Sequence, residues 1–416
     1  MNYELLSSLY YKSKKEYEQE YNDRFNSIAS KRLNISIEEN QCFYILTEEV
    51  VNKLYNVMVL NQKLDKLTSE IPGIALQQYI KKCLIDEIVL TNEIEGVVST
   101  RKDINEILEN VEDKNKRLTG LVNKYLNLCS EENIDIITCN DVRNIYNDLL
   151  WEEISEDDKL NLPDGVYFRK EGVDVLSSFK NVIHKGVMPE EKINLMMTQA
   201  LNILNDRDII PILRIAIFHY LFGYIHPFYD GNGRTSRFIS SYLLSKELNT
   251  LTGFGLSYAI KENISQYYKG FKTVNEKKNK GDLTPFIISF LDILSKELES
   301  LNNSVIERIN IINRYSKVIE VMEKKDKQKQ NIIYVIFQET LFGEAGIDVS
   351  SLMKYAKASK YKVTQVLKEY DDMLIKNKIG RKNYYSFDLA VVDHIDESCK
   401  FFAVAWPAYK NFRFIG

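Results

Sequence analysis

Twelve consecutive residues concentrate chemistry in this chain: His226-Pro227-Phe228-Tyr229-Asp230-Gly231-Asn232-Gly233-Arg234-Thr235-Ser236-Arg237. Gly231 and Gly233 let the backbone turn and approach a ligand closely. Unpaired N–H groups at the start of the helix that follows form an anion site. Arg234 and Arg237 are three apart, so on a helix they share a face and can fork onto phosphate oxygens. Asp230 can hold a Mg²⁺ ion that bridges phosphates. His226 is the side chain here able to act as a base near neutral pH. A lone GxG is usually a plain turn between helices. A base, a carboxylate, an anion cradle and two arginines in one register point instead to phosphoryl or nucleotidyl transfer.

Two helices must hold this loop. Residues 208–225 are apolar on most of their circumference, interrupted by Arg214 and His219, and read as a central buried helix ending at the motif. A second helix over about 233–248 starts directly after the glycines. Upstream, residues 74–95 carry apolar positions at helical spacing, and Gly96 supplies a stop. Thr100 caps a further helix to Glu109. Residues 163–176 break the helical pattern with a Pro163-Asp164-Gly165 turn and a Glu171-Gly172 turn around β-branched and aromatic stretches, the best hairpin signal in the chain. Residues 282–300 form another amphipathic helix.

The whole is a mainly α chain. Residues 1 to about 65 read as helical and charged, with Tyr10, Tyr11, Tyr17 and Tyr21 interleaved. A basic hinge, Lys324-Lys325-Asp326-Lys327-Gln328-Lys329, precedes a change of texture. From 329 to 390 the order is helix, helix, helix, β-hairpin, a winged helix-turn-helix pattern. In it Val349-Ser350-Ser351 caps a short helix, and Ser359 opens a longer one to about Lys376. The expected domains are a helical extension over 1–70, a catalytic domain over 71–325 and a winged-helix domain with a tail over 326–416.

The 416 residues carry a net charge of −4 and are 44% hydrophobic, so no global basic field draws the chain to nucleic acid or an anionic membrane. No apolar run reaches a membrane span of about 20 residues, and no signal-like start is visible. Five cysteines, Cys42, Cys83, Cys129, Cys139 and Cys399, are scattered without a CxxC pair. They argue against a disulfide framework and for a reducing cytoplasm. His184, His219 and His394 form no zinc-like cluster.

The twelve-residue loop matches every defining position of the signature HxFx(D/E)GNGRxxR, and the chain is identified by it as resembling the Fic (filamentation induced by cAMP) family. The resemblance implies a Fic-type helical bundle that binds ATP with Mg²⁺ and moves AMP onto a Ser, Thr or Tyr hydroxyl of a target protein or of itself. In that reading His226 takes the hydroxyl proton and Asp230 binds Mg²⁺. Gly231, Asn232 and Gly233 make the phosphate cradle, Arg234 and Arg237 hold the outer phosphates, and Phe228 fixes the loop. The stretch 167–175 resembles the family's hairpin flap, with Val173 lining the target groove. Tyr268 resembles the residue flanking adenine, and Asn275 the one hydrogen-bonding it.

Thr91-Asn92-Glu93-Ile94-Glu95-Gly96 is similar to the family's inhibitory pattern (S/T)xxxE(G/N), on a helix over about 78–96. Glu95 paired with Arg237 would take away the guanidinium that holds the γ-phosphate. A second reading of the same site has Glu95 orient a water that removes AMP from a modified protein. A third makes the chain a nucleotide-sensing transcription regulator. For that, Lys360, Lys362, Gln365 and Lys368 with Lys376, Lys378, Arg381 and Lys382 offer a basic face, but Glu369, Asp371 and Asp372 dilute it, so DNA binding is not favoured.

Overall fold

In the computed structural model the described residues are 3–109, 117–128, 133–176, 182–323, 325–379 and 382–392. Cys129, Lys324, Arg381, His394 and Cys399, singled out above, lie outside them, as does the expected tail beyond 392. The chain opens with α1 (Leu6–Lys12), α2 (Lys14–Phe25), β1 (Ser30–Ile37) and β2 (Asn40–Ile45). There follow α3 (Glu48–Ser69), α4 (Gly73–Ile94), α5 (Arg101–Glu109), α6 (Thr119–Asn127) and α7 (Cys139–Asp157). A hairpin of β3 (Asp174–Leu176) and β4 (Val182–Lys185) leads to α8 (Glu190–Leu204), α9 (Pro211–Ile225) and α10 (Asn232–Glu247). Then come α11 (Thr250–Phe254), α12 (Leu256–Glu262), α13 (Ile264–Asn275) and α14 (Thr284–Met322). The last elements are α15 (Lys327–Phe342), β5 (Ile347–Asp348), α16 (Val349–Ala356), α17 (Lys360–Glu369), β6 (Leu374–Ile379) and β7 (Lys382–Phe387). The molecule is mainly helical, as its composition implied.

The chain divides into two units, residues 1–65 with 83–302, and residues 66–82 with 303–416. In the first, α9 is the axis: Leu213, Ala216, Phe218, Leu221, Phe222 and Ile225 are all fully shielded from solvent. A helix with so little polar surface is stable only when wrapped on all sides. Pro211 starts it, where a missing N–H is harmless.

The N-terminal stretch corrects the helical reading of residues 1–65. Residues 30–45 are an antiparallel hairpin. Leu33, Ile35 and Ile37 are buried while Arg32, Asn34 and Ser36 face solvent, the period-2 alternation of a half-buried strand. The turn is carried by Glu38 at φ 52° rather than by glycine, which hid it. Hydrogen bonds tie this stretch to residues 281–283. Phe43 N–H donates to the Gly281 carbonyl at 3.1 Å, and Leu283 N–H donates to the Phe43 carbonyl at 2.8 Å. Tyr3 Oη donates to Asp282 Oδ2 at 2.6 Å.

The expected hairpin at 163–176 also shifts. The strands are 174–176 and 182–185. The preceding N–H groups are spent elsewhere: Tyr167 and Phe168 donate to Glu190 Oε1 at 2.9 and 3.1 Å, and Arg169 donates to the Pro227 carbonyl at 3.1 Å. A backbone so engaged cannot form a ladder.

In the second unit, α15, α16 and α17 pack on a three-stranded sheet of order β5-β7-β6. Ile332, Ile336, Leu352, Val363 and Phe387 form its core, and Phe337 stacks on Tyr315 and Phe387 at 4.6 and 4.2 Å. Ser359 caps α17 as expected, but the helix ends at Glu369, not near 376. Asp348, not the serines after it, caps α16. The short strand β5 carries no sequence signal of its own.

Candidate active site

Residues 226–231 join the end of α9 to the start of α10. His226 is the C-cap of α9, with φ 52° and its N–H donating to the Phe222 carbonyl at 2.9 Å. This left-handed conformation costs a non-glycine residue about 1–2 kcal/mol, and the surroundings enforce it. Phe228 is fully buried and stacks on Tyr146 with centroids 3.9 Å apart. Asn232 closes the loop reciprocally: its Oδ1 accepts the Phe228 N–H at 2.9 Å and its Nδ2 donates to the Phe228 carbonyl at 2.7 Å. Gly231 has φ 78°, and a methyl group there would lie 2.4 Å from Leu150 Cδ1. Only glycine fits both demands.

The residue that holds His226 was not visible in the sequence. Arg169 is fully buried and donates to the carbonyls of His226 at 2.9 Å, Val187 at 2.8 Å and Glu171 at 2.5 Å. Burial first, and then the Arg169 charge, pull His226 from its ordinary 6.5 to about 4, against an opposing pull from Glu95. The imidazole is therefore neutral, as a base must be.

The two arginines diverge instead of sharing one anion. Arg237 turns to α4: Nε donates to Thr91 Oγ1 at 2.8 Å, and Nη2 donates to the Thr91 carbonyl at 2.9 Å and to Glu95 Oε1 at 2.8 Å. Burial works to raise the Glu95 carboxyl, but the Arg237 charge and hydrogen bond override it and hold Glu95 below its ordinary value. Arg234 turns to α7, with Nη1 2.7 Å from Glu153 Oε1 and Nη2 3.7 Å from Asp230 Oδ2. Both Arg234 and Glu153 are buried. Glu153 could have been noticed: it falls in the apolar stripe of Val142, Tyr146 and Leu149, where a carboxylate must find a cation.

Asp230 is about half exposed, at 49%. Its Oδ1 accepts the Gly231 N–H at 2.5 Å. Among the described residues no group of three or more His, Cys, Asp or Glu is placed to hold a metal. One outward carboxylate beside an anion cradle fits Mg²⁺, which takes one or two protein carboxylates and completes its shell with phosphates and water.

Glu95, His226, Gly233, Arg237, Tyr268 and Asn275 line one cavity of about 160 Å³. That is below the roughly 300–1,000 Å³ of small-molecule sites. Asn275 Oδ1 accepts from Tyr220 Oη at 2.7 Å. Val173 does not line the cavity; it sits at the base of the β3–β4 hairpin, its carbonyl accepting the Gly186 N–H at 2.9 Å. His184 of β4 does line it. Its Nε2 lies 2.8 Å from the Tyr224 carbonyl, which can only accept, so that nitrogen carries the proton. His219 is a satisfied core histidine, bonded to Ser240 Oγ and Tyr267 Oη at 2.8 Å each.

Residues 136–244 match the Fic/DOC family. Over 58% of its length the chain is 28% identical to the protein adenylyltransferase Fic of Aedes aegypti, covering 46% of that protein. The protein adenylyltransferase Fic of Drosophila melanogaster is 29% identical over 54% of this chain and 43% of its own. The chain thus spans less than half the length of these curated relatives. A crystal structure of a Fic family protein from Desulfovibrio desulfuricans G20 aligns with 83% of this chain and 97% of its own, at a TM-score of 0.49 and 17% identity.

Proposed function

We propose, from the premise that this chain carries a Fic domain over residues 136–244, that it transfers AMP from ATP to a hydroxyl of a target protein. The observation that carries the reading is the half-buried His226 at the lip of a helix N-terminus whose backbone can cradle phosphate, with burial and the Arg169 charge favouring its neutral form. The target oxygen attacks the α-phosphorus while His226 takes the hydroxyl proton. The bond from the α-phosphorus to the bridging oxygen breaks, and diphosphate leaves. The first-turn N–H groups of α10 face the charge that develops on the phosphates. Mg²⁺ held by Asp230 would neutralise phosphate charge. Tyr268 and Asn275 supply the adenine contacts, and the β3–β4 hairpin near Val173 presents the target strand.

The Glu95–Arg237 pair is the brake of this machine. It occupies the guanidinium that would bind the γ-phosphate, and the small cavity volume supports a site closed by its own carboxylate. The test is incubation with labelled ATP and Mg²⁺, read by mass spectrometry of the chain itself and of added proteins. Glu95→Gly is expected to raise AMP transfer about tenfold or more, the loss of about 1.4 kcal/mol of restraint, and His226→Ala to abolish it. An unchanged rate for Glu95→Gly removes the brake; AMP loss from a premodified protein, dependent on Glu95, would assign the reverse reaction instead.

A second reading concerns residues 327–392, as a winged helix. Lys360, Tyr361, Thr364, Gln365 and Lys368 are exposed along one face of α17. Exposed Glu369, Asp371 and Asp372 sit beside them, so a protein contact is the better assignment than duplex DNA. A salt-dependent mobility shift of the full chain with DNA would reverse that preference.

A further inference from the structure

We propose that Glu87 is the positioning residue of the inhibitory helix, fixing the register of α4 on α10 so that Glu95 meets Arg237. The catalytic consequence rests on the brake reading above; the positional claim does not.

Glu87 and Thr91, four apart, share one face of α4, and Glu95, eight residues after Glu87 in the turn that directly follows the helix, continues that row. Gly233, Arg237 and Ser241 have the same spacing on α10. The two rows meet in reverse order. Glu95 Oε1 lies against Gly233, where a methyl group would be 2.1 Å from it. Arg237 donates to Thr91 and to Glu95. Ser241 Oγ donates to Glu87 Oε1 at 3.0 Å. Glu87 is the far rung, about 12 Å along the axis from Glu95 at 1.5 Å per residue.

That rung is the most committed of the three. Glu87 is fully buried. Besides Ser241, it accepts from Ser257 N–H at Oε2 and Ser257 Oγ at Oε1, each at 2.7 Å, with Tyr125 Oη at 3.4 Å from Oε1. Its donors come from α10, α12 and α6; the Arg237 charge acts on it, and Glu87 in turn helps, after burial, to raise the carboxyl of Glu297 on α14. Leu84 and Ile88 on the same stretch are buried but apolar, with no hydrogen-bonding side-chain atom that a slide would leave unmet. A buried carboxylate does not. Sliding α4 by one turn, about 5.4 Å, would leave Glu87 without its donors in a medium where an unpaired polar group is heavily penalised. A buried polar group that is satisfied in one register specifies that register. The same slide would take Glu95 off Arg237.

Burial raises the Glu87 carboxyl to about 7, against the pull of Ser257, Ser241 and Arg237. A neutral side chain of the same shape is therefore admitted. Glutamine can place its carbonyl at the Ser257 N–H and give its NH₂ to the two serine hydroxyls, which rotate to accept. Leucine fills the volume and leaves every donor unmet.

The test uses the full chain, with two readouts. Hydrogen–deuterium exchange follows the amides of residues 88–94, and labelled ATP follows AMP transfer. Glu87→Leu is expected to speed exchange in that stretch about tenfold or more and to raise transfer by a similar factor, while Glu87→Gln stays at the wild-type level in both. In a Glu95→Gly background Glu87→Leu should add nothing to transfer, because the group it positions is gone. Slow exchange in Glu87→Leu, or equal disruption by Glu87→Gln, overturns the proposal. Where Glu87→Leu does not fold, Ser241→Ala with Ser257→Ala removes the hydroxyl donors from the opposite side and must reproduce the fast exchange. If Glu95→Gly alone leaves transfer unchanged, the brake reading has failed, and the exchange readout decides on Glu87 by itself.

Discussion

Gly233 and Glu95 compete for the same space: a methyl group on Gly233 would lie 2.1 Å from Glu95 Oε1 and 3.0 Å from Arg237 Nη1. The glycine proposed to open the phosphate cradle is thus also the seat of the carboxylate proposed to close it. Gly233→Ala should expel the Glu95 side chain, which can swing away, and break the 2.8 Å ion pair. The expected loss of stability is about 1–3 kcal/mol, that of a partly buried charge-assisted bond. In Glu95→Gly the same substitution should have a much smaller effect. Thermal unfolding of the two single variants and the double variant measures the coupling, and strictly additive losses would show that the two residues do not contend.

The pH profile should report a base already neutral. With His226 lowered to about 4, transfer by Glu95→Gly should stay level from pH 8 to about 5.5 and fall only as His226 takes a proton below that. The sign for stability follows. A histidine depressed in the folded state binds more protons unfolded, so its contribution is present above 6.5 and is lost as pH falls toward 4. His219, lowered to about 3, acts in the same direction. His226→Ala should therefore reduce, without abolishing, the fall in Tm between pH 6.5 and 4. A transfer rate that halves near pH 6.5 would contradict the assignment.

The loop was legible because its chemistry is local: a histidine, a carboxylate, two glycines and two arginines lie within twelve residues, and the helices on either side follow from the apolar run before it and the glycines that precede the second helix. What holds the loop was not legible. Arg169 reaches His226 across 57 positions through a single carbonyl bond, and Arg237 reaches Thr91 across 146. Such pairings leave at most a charged residue inside an apolar stripe, as at Glu153 and Glu87. The hairpin at 30–45 was missed for another reason. Its alternation is plain in Leu33, Ile35 and Ile37, but its turn lacks the glycine or asparagine-glycine pair that usually announces one. At 163–173 the chain bends but does not pair, because Glu190 captures N–H groups that a ladder would otherwise use.

Arg169 should set both the shape and the basicity of His226. Its guanidinium serves carbonyls of His226, Glu171 and Val187, and its charge helps to depress the imidazole. Arg169→Met keeps much of the volume and removes both. The loop should lose about 2–4 kcal/mol of stability from unmet carbonyls. The acid limb of the rate profile should move to higher pH as the charge disappears. Nuclear magnetic resonance titration of the His226 ring reads that shift directly; an unmoved titration would mean that burial alone sets it.

Glu153→Gln isolates the part played by the other arginine. Arg234 is fully buried, 2.7 Å from Glu153 and 3.7 Å from Asp230. Removing one partner of a buried pair leaves a charge unmatched, which costs about 3–5 kcal/mol. Denaturant unfolding should show that loss. Arg234 must then lean on its remaining anion, Asp230, which sits where Mg²⁺ is proposed to bind. The concentration of Mg²⁺ needed for half-maximal transfer in Glu95→Gly should therefore rise when Glu153→Gln is added. Added Mg²⁺ should recover part of the rate, since it competes with Arg234 for the same carboxylate. An unchanged Mg²⁺ requirement beside a large stability loss would confine Glu153 to holding the helix, with no influence on the metal site.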